Sequence, residues 1–312
     1  MRIIVVGQAA FGGKVVEALL ERGEKIIAVY GPPERPGSRP DPIKEIGLAR
    51  NIPVFQPTTY KDDLVFAQYR DLKPDLTILA FVTAIIPPRF FDLPAKGAIC
   101  YHPSTLPRHR GASAINWAII MGDTRTGLTI FWPDGGIDTG PVLLQKEVEI
   151  RPEDTTASLY FEHLFPMGVE AILESVDLIR AGKAPRIPQS REGATYEPPC
   201  DDRVAGVDWS KSAREVCNLV RGCDPQPGAY GYWRGEQIRF HSAALSQEPA
   251  PEAPGTVVAV DARGLHLALR GGRLIVARVR AAKGGKVDGA VCAAERDLKV
   301  GERFHGESAK GE

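Results

Sequence analysis

The stretch Arg2-Ile3-Ile4-Val5-Val6-Gly7-Gln8-Ala9-Ala10-Phe11-Gly12, continuing through Val15, Val16, Leu19 and Leu20 to Gly23 and then Ile26-Ile27-Ala28-Val29-Tyr30, decides the fold class. An apolar run that stops at a glycine reads as a strand buried on both faces, and the spacing after it reads as an amphipathic helix. The second apolar run completes a βαβ unit, so the chain is read as α/β with a Rossmann-like, doubly wound parallel sheet. The turn carries Gly7 and Gly12 in place of G-x-G-x-x-G, and no acidic residue ends the second run. Its glycines are therefore expected to serve backbone packing, and no NAD is expected.

The same alternation extends outward. A Pro-, Gly- and Arg-bearing loop over 31–42 precedes a helix to about Arg50, Val54-Phe55 is a short strand, and 61–72 is helical. Leu76–Phe81 is a buried strand with an exit loop, Val82–Pro87. Strands follow at 97–101 and 128–132 around a helix over 112–120, and 142–150 alternates as a strand. Asp154 and Thr155 are placed to cap a helix from about Ser158 to Arg180. The polar, Pro-rich stretch from Pro185 through Asp202 reads as a linker. A helix through Val216 and Leu219 and short β-type runs at 237–240, 255–260, 265–269 and 274–279 predict a small barrel. The expected division is 1–200 and 201–307, with a frayed tail after Phe304.

Composition excludes several classes. The 312 residues carry 39 basic and 39 acidic side chains, so nothing calls for a polyanionic partner, and nucleic acid is not expected. No apolar stretch approaches membrane-spanning length. Met1–Gly7 stops too soon for a signal peptide. Five scattered cysteines without a Cys-x-x-Cys pair favour neither disulfides nor a metal site and fit a cytoplasmic setting.

The chemistry concentrates in Cys100-Tyr101-His102-Pro103-Ser104-Thr105-Leu106-Pro107-Arg108-His109-Arg110-Gly111 and in Gly136-Ile137-Asp138-Thr139-Gly140. Each is a Gly- or Pro-punctuated turn just after a β-type run, and one supplies an imidazole, the other a carboxylate. His with Asp is a working acid/base pair at neutral pH. From residue chemistry alone the same two residues serve equally as a surface histidine and a turn carboxylate.

These two segments resemble the folate-dependent formyltransferase family, marked by a His-x-Ser-x-Leu-Pro-x-x-x-Gly loop and a downstream Asp-x-Gly turn. Within the family the chain is most similar to the hydrolase domain that opens the 10-formyltetrahydrofolate dehydrogenases, and more distantly to methionyl-tRNA formyltransferase. Leu106–Trp117, Thr129–Trp132, Asp138-Thr139-Gly140 and Gln189–Glu197 carry the resemblance, which extends from the first strand to about Phe304. It implies the formyltransferase fold with an OB-like C-terminal barrel and 10-formyltetrahydrofolate as formyl donor. It also implies that His102 and Asp138 are catalytic. Ala84, Ile85 and Ile86 match the segment lining the pterin pocket. Ser104, Leu106, Pro107 and Arg110 shape the turn or touch folate, and Arg108, His109 and Arg110 either attract the folate's glutamate tail or form a solvated turn. Asn116 and Trp117 are expected to pack.

Cys100 departs from the amine formyltransferases, which carry an Asn two residues before the histidine; the hydrolase domain also lacks that Asn. An apolar-flanked thiol without a basic neighbour stays protonated and is a poor nucleophile. The expected activity is therefore formyl removal through a tetrahedral intermediate, with water or a carrier thiol as acceptor. Separate carrier and aldehyde dehydrogenase proteins are the expected partners. The alternative is formyl transfer to an amine on methionyl-tRNA, an amino sugar or a hydroxyornithine.

Overall fold

In the computed structural model, which describes residues 1–34, 36–282 and 284–306, the opening segment forms β1 (Arg2–Gly7), α1 (Ala9–Glu21) and β2 (Lys25–Tyr30). Phe11, Val15, Val16 and Leu19 are buried along one face of α1, against the sheet. The two glycines of the turn are there for closeness. A Cβ on Gly7 would lie 2.6 Å from the Ala80 carbonyl oxygen, and one on Gly12 would lie 3.1 Å from the Gly7 carbonyl carbon. Asp41 caps α2 (Pro42–Ala49) through the Ile43 N–H, and its other oxygen accepts from the Ala9 N–H at the start of α1.

The sheet continues with β3 (Val54–Phe55), α3 (Asp63–Asp71), β4 (Leu76–Ala80), α4 (Arg89–Asp92) and β5 (Ala98–His102). After α5 (Ala114–Ile120) come β6 (Arg125–Phe131) and β7 (Val142–Glu149). The strand order is β3-β2-β1-β4-β5-β6-β7. Pairing is parallel from β3 through β5, as the βαβ reading requires, but β6 runs antiparallel to β5. The wholly parallel expectation is corrected at this edge.

Two further expectations change. The helix from Ser158 to Arg180 is three pieces: α6 (Thr156–Ser158) with a Thr155/Ser158 capping box, a π-helical segment Leu159–Leu164, and α7 (Phe165–Arg180). Pro166, lacking an N–H, falls where the π segment gives way to α7. The stretch read as a linker is packed over its first part: Pro185–Glu197 belongs with the sheet, where Ile187 bridges Val142 and Tyr196 bridges Arg110.

The chain forms two units, one of Met1–Ala114, Gly127–Val148 and Glu162–Glu197, the other of Ile115–Thr126, Glu149–Phe161 and Pro198 onward. The second unit contains α8 (Asp202–Ala205), α9 (Ala213–Gly222), β8 (Ala229–Trp233), β9 (Glu236–Ser246) and β10 (Val257–Asp261). It continues with β11 (Gly264–Leu269), β12 (Gly272–Ala281), β13 (Val287–Asp288) and α10 (Gly289–Arg296). Its antiparallel order is β10-β11-β12-β9-β8, with β13 on β12. Arg303 bridges Thr256 and His305 bridges Tyr232, so the segment 303–305 joins the two outer strands and closes the ring. Trp209, Phe240 and Phe304 fill its core. Beyond His305 and Gly306 the expected tail lies outside the described residues. Asn116 and Trp117 are structural within this unit, donating to the carbonyls of Gly222 and Pro198.

Candidate active site

The last residue of β5 is His102. Leu79 pairs with Cys100, so the histidine stands where the neighbouring β4 gives way to the Val82–Pro87 loop. Tyr101 anchors the strand from the other face: its ring lies 4.3 Å from that of Phe11, and Gly168 of α7 packs so close that a Cβ would meet Tyr101 at 2.6 Å.

The turn after His102 is fastened from β6 and β7. Thr129, opposite His102, donates to the Ser104 carbonyl (2.7 Å) and accepts from the Leu106 N–H (3.0 Å), and Gln145 donates to the Leu106 carbonyl. Ser104 is fully buried and donates to the Arg108 carbonyl at 2.6 Å. Ser104 and Leu106 thus support the turn from inside, and Pro107 offers its carbonyl to the Thr195 N–H.

His102 is buried, with Nε2 2.7 Å from the His109 carbonyl oxygen. A carbonyl can only accept, so Nε2 carries the proton and a neutral ring presents its Nδ1 lone pair elsewhere. Nδ1 faces Asp138 Oδ2 at 3.5 Å, within ion-pair reach but longer than a hydrogen bond. The same carboxylate oxygen accepts from the Gly111 N–H at 2.8 Å.

Asp138 sits at φ +55°, a left-handed conformation that Asp and Asn tolerate better than most side chains. Its loop is held by Asp134, which accepts from the Gly136 N–H and the Thr139 hydroxyl, and by Gln189, whose amide donates to the Asp138 and Gly140 carbonyls. Gln189 Oε1 in turn accepts from the Arg110 guanidinium at 2.7 Å.

Of the basic triplet, Arg108 is exposed, whereas His109 is 2% exposed and pairs with Glu197 at 3.3 Å, and Arg110 donates to Gln189, so these two are not side chains of a freely solvated turn. Gln189, Glu197, Thr195 and Thr129 lie in segments that resemble the family, yet their residue types alone carried no signal of a role.

Cys100 is half-buried beside this pair. Burial, and secondarily the Asp138 carboxylate, push its thiol far above the usual cysteine range, so it remains protonated. A neutral thiol is a weak donor and a poor nucleophile.

The Val82–Pro87 and Pro133–Gly140 loops present apolar side chains to solvent: Ile85 is 80% and Ile137 54% exposed. Ala84 is exposed as well, whereas Ile86 packs against the cluster of Tyr30, Tyr60, Tyr69 and Phe90. A cleft of about 810 Å³ opens beyond the carboxyl ends of β1–β4, where the strand order reverses, lined among the described residues by Gly7, Gln8, Tyr30, Gln56, Ala84 and Ile85. The amide at the start of α1 in this cleft is already occupied by Asp41.

Comparison with known proteins agrees with this architecture. The family model described as formyl transferase matches residues 1–173, and that of the formyl transferase C-terminal domain matches 202–296. The chain is 41% identical over 258 residues to mitochondrial 10-formyltetrahydrofolate dehydrogenase of Homo sapiens, covering 80% of this chain and 28% of that protein. It is 37% identical over 286 residues to methionyl-tRNA formyltransferase of Acetivibrio thermocellus, covering 90% of this chain and 92% of that one. The chain thus spans little more than a quarter of the dehydrogenases it matches. Among solved structures, HypX from Aquifex aeolicus in complex with tetrahydrofolic acid superposes with a TM-score of 0.70 at 22% identity, over 97% of this chain and 48% of that one. With one model spanning the sheet-bearing part and a relative matched nearly end to end, the chain belongs to the formyl transferase family.

Proposed function

We propose that this chain removes the formyl group of 10-formyltetrahydrofolate through a tetrahedral intermediate, with water or a carrier thiol as acceptor. The observation that carries the reading is the pairing of His102 Nδ1 with Asp138 Oδ2, with His102 Nε2 pinned as a donor to the His109 carbonyl. One imidazole nitrogen is thereby committed to structure, and the other is left to exchange a proton with the carboxylate. The family supplies the reaction type, and the names of the 10-formyltetrahydrofolate dehydrogenases point to the donor.

In the hydrolytic direction Asp138 takes a proton from the attacking water as its oxygen bonds the formyl carbon, and the carbonyl electron pair moves onto oxygen. Asp138 passes that proton to Nδ1 of His102, and the resulting imidazolium stabilises the oxyanion beside the restored carboxylate. Collapse breaks the carbon–N10 bond, its electron pair stays on N10 and takes the proton from Nδ1 to complete tetrahydrofolate, and formic acid leaves and ionises to formate. Ile85 and Ile137 offer apolar walls for a flat pterin ring, with Ala84 and the loop backbone at its edges. His102, Asp138, Ala84 and Ile85 are the residues this reading places in contact with the folate.

Cys100 favours the hydrolytic branch, because a protonated thiol stands where an amide would donate to the oxyanion during aminolysis. A separate carrier protein or aldehyde dehydrogenase would then consume the formyl group, in the cytoplasm. A second reading, transfer to an amine, is favoured by one observation: the methionyl-tRNA formyltransferase matches across 92% of its length. Incubation with 10-formyltetrahydrofolate, with and without candidate amines, while following tetrahydrofolate and formate, separates them. Stoichiometric formate without amine supports hydrolysis; tetrahydrofolate released only with an amine refutes it.

A further inference from the structure

Three consecutive residues set both members of the reacting pair. The His109 carbonyl holds His102 Nε2 at 2.7 Å, and the Gly111 N–H holds Asp138 Oδ2 at 2.8 Å. The geometry of the pair is therefore no better defined than that of the tripeptide His109-Arg110-Gly111, which belongs to no helix or strand. His109 is at φ +54°, a conformation that costs a non-glycine residue free energy and persists only where surroundings enforce it.

The enforcement comes from residues 195–197. The Thr195 hydroxyl accepts from the His109 N–H at 2.8 Å, the Thr195 carbonyl accepts from the Arg110 N–H, and the Glu197 N–H donates to the Arg110 carbonyl. At the centre is a buried acid–base contact, His109 Nδ1 to Glu197 Oε1 at 3.3 Å, with side chains 3% and 9% exposed. The contact packs the His109 ring against Glu197, and the Arg110 N–H, which shares a peptide plane with the His109 carbonyl, is tied to Thr195, so side chain and carbonyl are held from the same segment.

We infer that His109 and Glu197 are a positioning pair for the reaction: by aiming the His109 carbonyl at Nε2 of His102, they fix the tautomer that turns Nδ1 toward Asp138. Neither touches the reacting atoms. This rests on the reading of His102 and Asp138 as the reacting residues, and the pair's effect shows in a property of His102 that can be read without turnover.

Glu197→Ala is expected to lower kcat by about 10- to 100-fold with KM and the Kd for 5-formyltetrahydrofolate within about threefold. The ¹⁵N spectrum of His102 is expected to change from a single Nε2–H tautomer to a mixture. His109→Asn, which tolerates positive φ and offers an amide donor toward Glu197, is expected to recover kcat to within about fivefold of wild type and to keep the single tautomer. Thr195→Val, which removes the acceptor of the His109 N–H while preserving shape, is expected to shift the tautomer in the same direction and carries the test if Glu197→Ala does not fold.

An unchanged His102 spectrum in folded Glu197→Ala or Thr195→Val overturns the inference, whatever happens to the rate. So does a mixed tautomer with kcat within threefold of wild type. His102→Ala distinguishes the two levels: if it retains turnover, the reading of the reacting pair has failed; if it is inactive while Glu197→Ala is normal, only the positioning role has failed.

Discussion

Replacing Asp138 by Asn tests the reacting pair with little disturbance of the fold. Asn tolerates the φ of +55° found here, and its amide oxygen can still accept from the Gly111 N–H, so the loop held by Gln189 is retained. What disappears is a negative charge 3.5 Å from Nδ1 of His102 and the base that takes the proton of water. At an effective dielectric of about 20, two unit charges at 3.5 Å interact by about 5 kcal/mol, an upper limit because the carboxylate keeps some contact with water. That attraction reaches full strength only when the imidazole is protonated against the oxyanion, so its loss falls on kcat. Adding the general-base contribution, kcat for tetrahydrofolate release is expected to drop about 10³- to 10⁴-fold, with the Kd for 5-formyltetrahydrofolate within about threefold. Single-turnover release of tetrahydrofolate and calorimetric binding measure the two quantities. Turnover within threefold of wild type removes Asp138 from the mechanism, and a loss of folate binding as large as the loss of rate shows that the carboxylate acts on the ground state.

Cys100→Asn is expected to raise amine formylation relative to formate release by restoring a donor toward the oxyanion, whereas Cys100→Ala keeps hydrolysis within about tenfold. Trapping a thioformyl adduct on Cys100 would instead make it a covalent intermediate. Gln189→Leu deletes the donors to the Asp138 and Gly140 carbonyls and the acceptor for Arg110, and should cost about 1–2 kcal/mol in urea unfolding as well as kcat; unaltered stability and rate would show the loop is held without it. In the second unit, burial alone would raise the Asp224 carboxyl, but His241, the Ser242 N–H and Lys286 outweigh it and hold the group below the usual carboxylate range. A depressed folded-state value stabilises the protein above the unfolded value of about 3.9, and the contribution is lost as pH falls through the folded value. Asp224→Asn should therefore destabilise by about 3 kcal/mol at pH 7 and flatten the loss of stability below about pH 4; parallel pH-stability curves for wild type and variant would contradict this.

The parts of the fold legible in the sequence are those written in periodicity. Ile3–Val6 and Leu76–Ala80 are buried on both faces and can only be central strands, and α1 shows its buried face every three or four residues. Strand direction is not written that way. Nothing in Leu128–Phe131 distinguishes a strand parallel to β5 from an antiparallel one, and only its pairing in the folded sheet decides it. Ring closure by Arg303 and His305 rests on two isolated bridges, too brief to leave a periodic trace.

At the site the division follows the same physics. His102 and Asp138 could be singled out because His102 ends a β-type run and Asp138 lies in the Gly-rich turn that follows another, near the sheet edge where strands deliver side chains. Pro185–Glu197 looked like a linker because its partners are polar: Gln189 binds two carbonyls and a guanidinium, Thr195 a main-chain amide, and Glu197 a buried imidazole. Hydrophobic pattern is blind to such a segment, since packing that proceeds through hydrogen bonds leaves the composition of a solvated loop. His109 was hidden for the same reason, as one of three adjacent basic residues of which this one is buried. The consequence is chemical. A histidine tautomer is fixed only by an acceptor that does not move, and the His109 carbonyl is kept in place by a segment nearly ninety residues further along the chain, so on the proposed reading the acid/base pair depends on a stretch whose sequence resembles a tether.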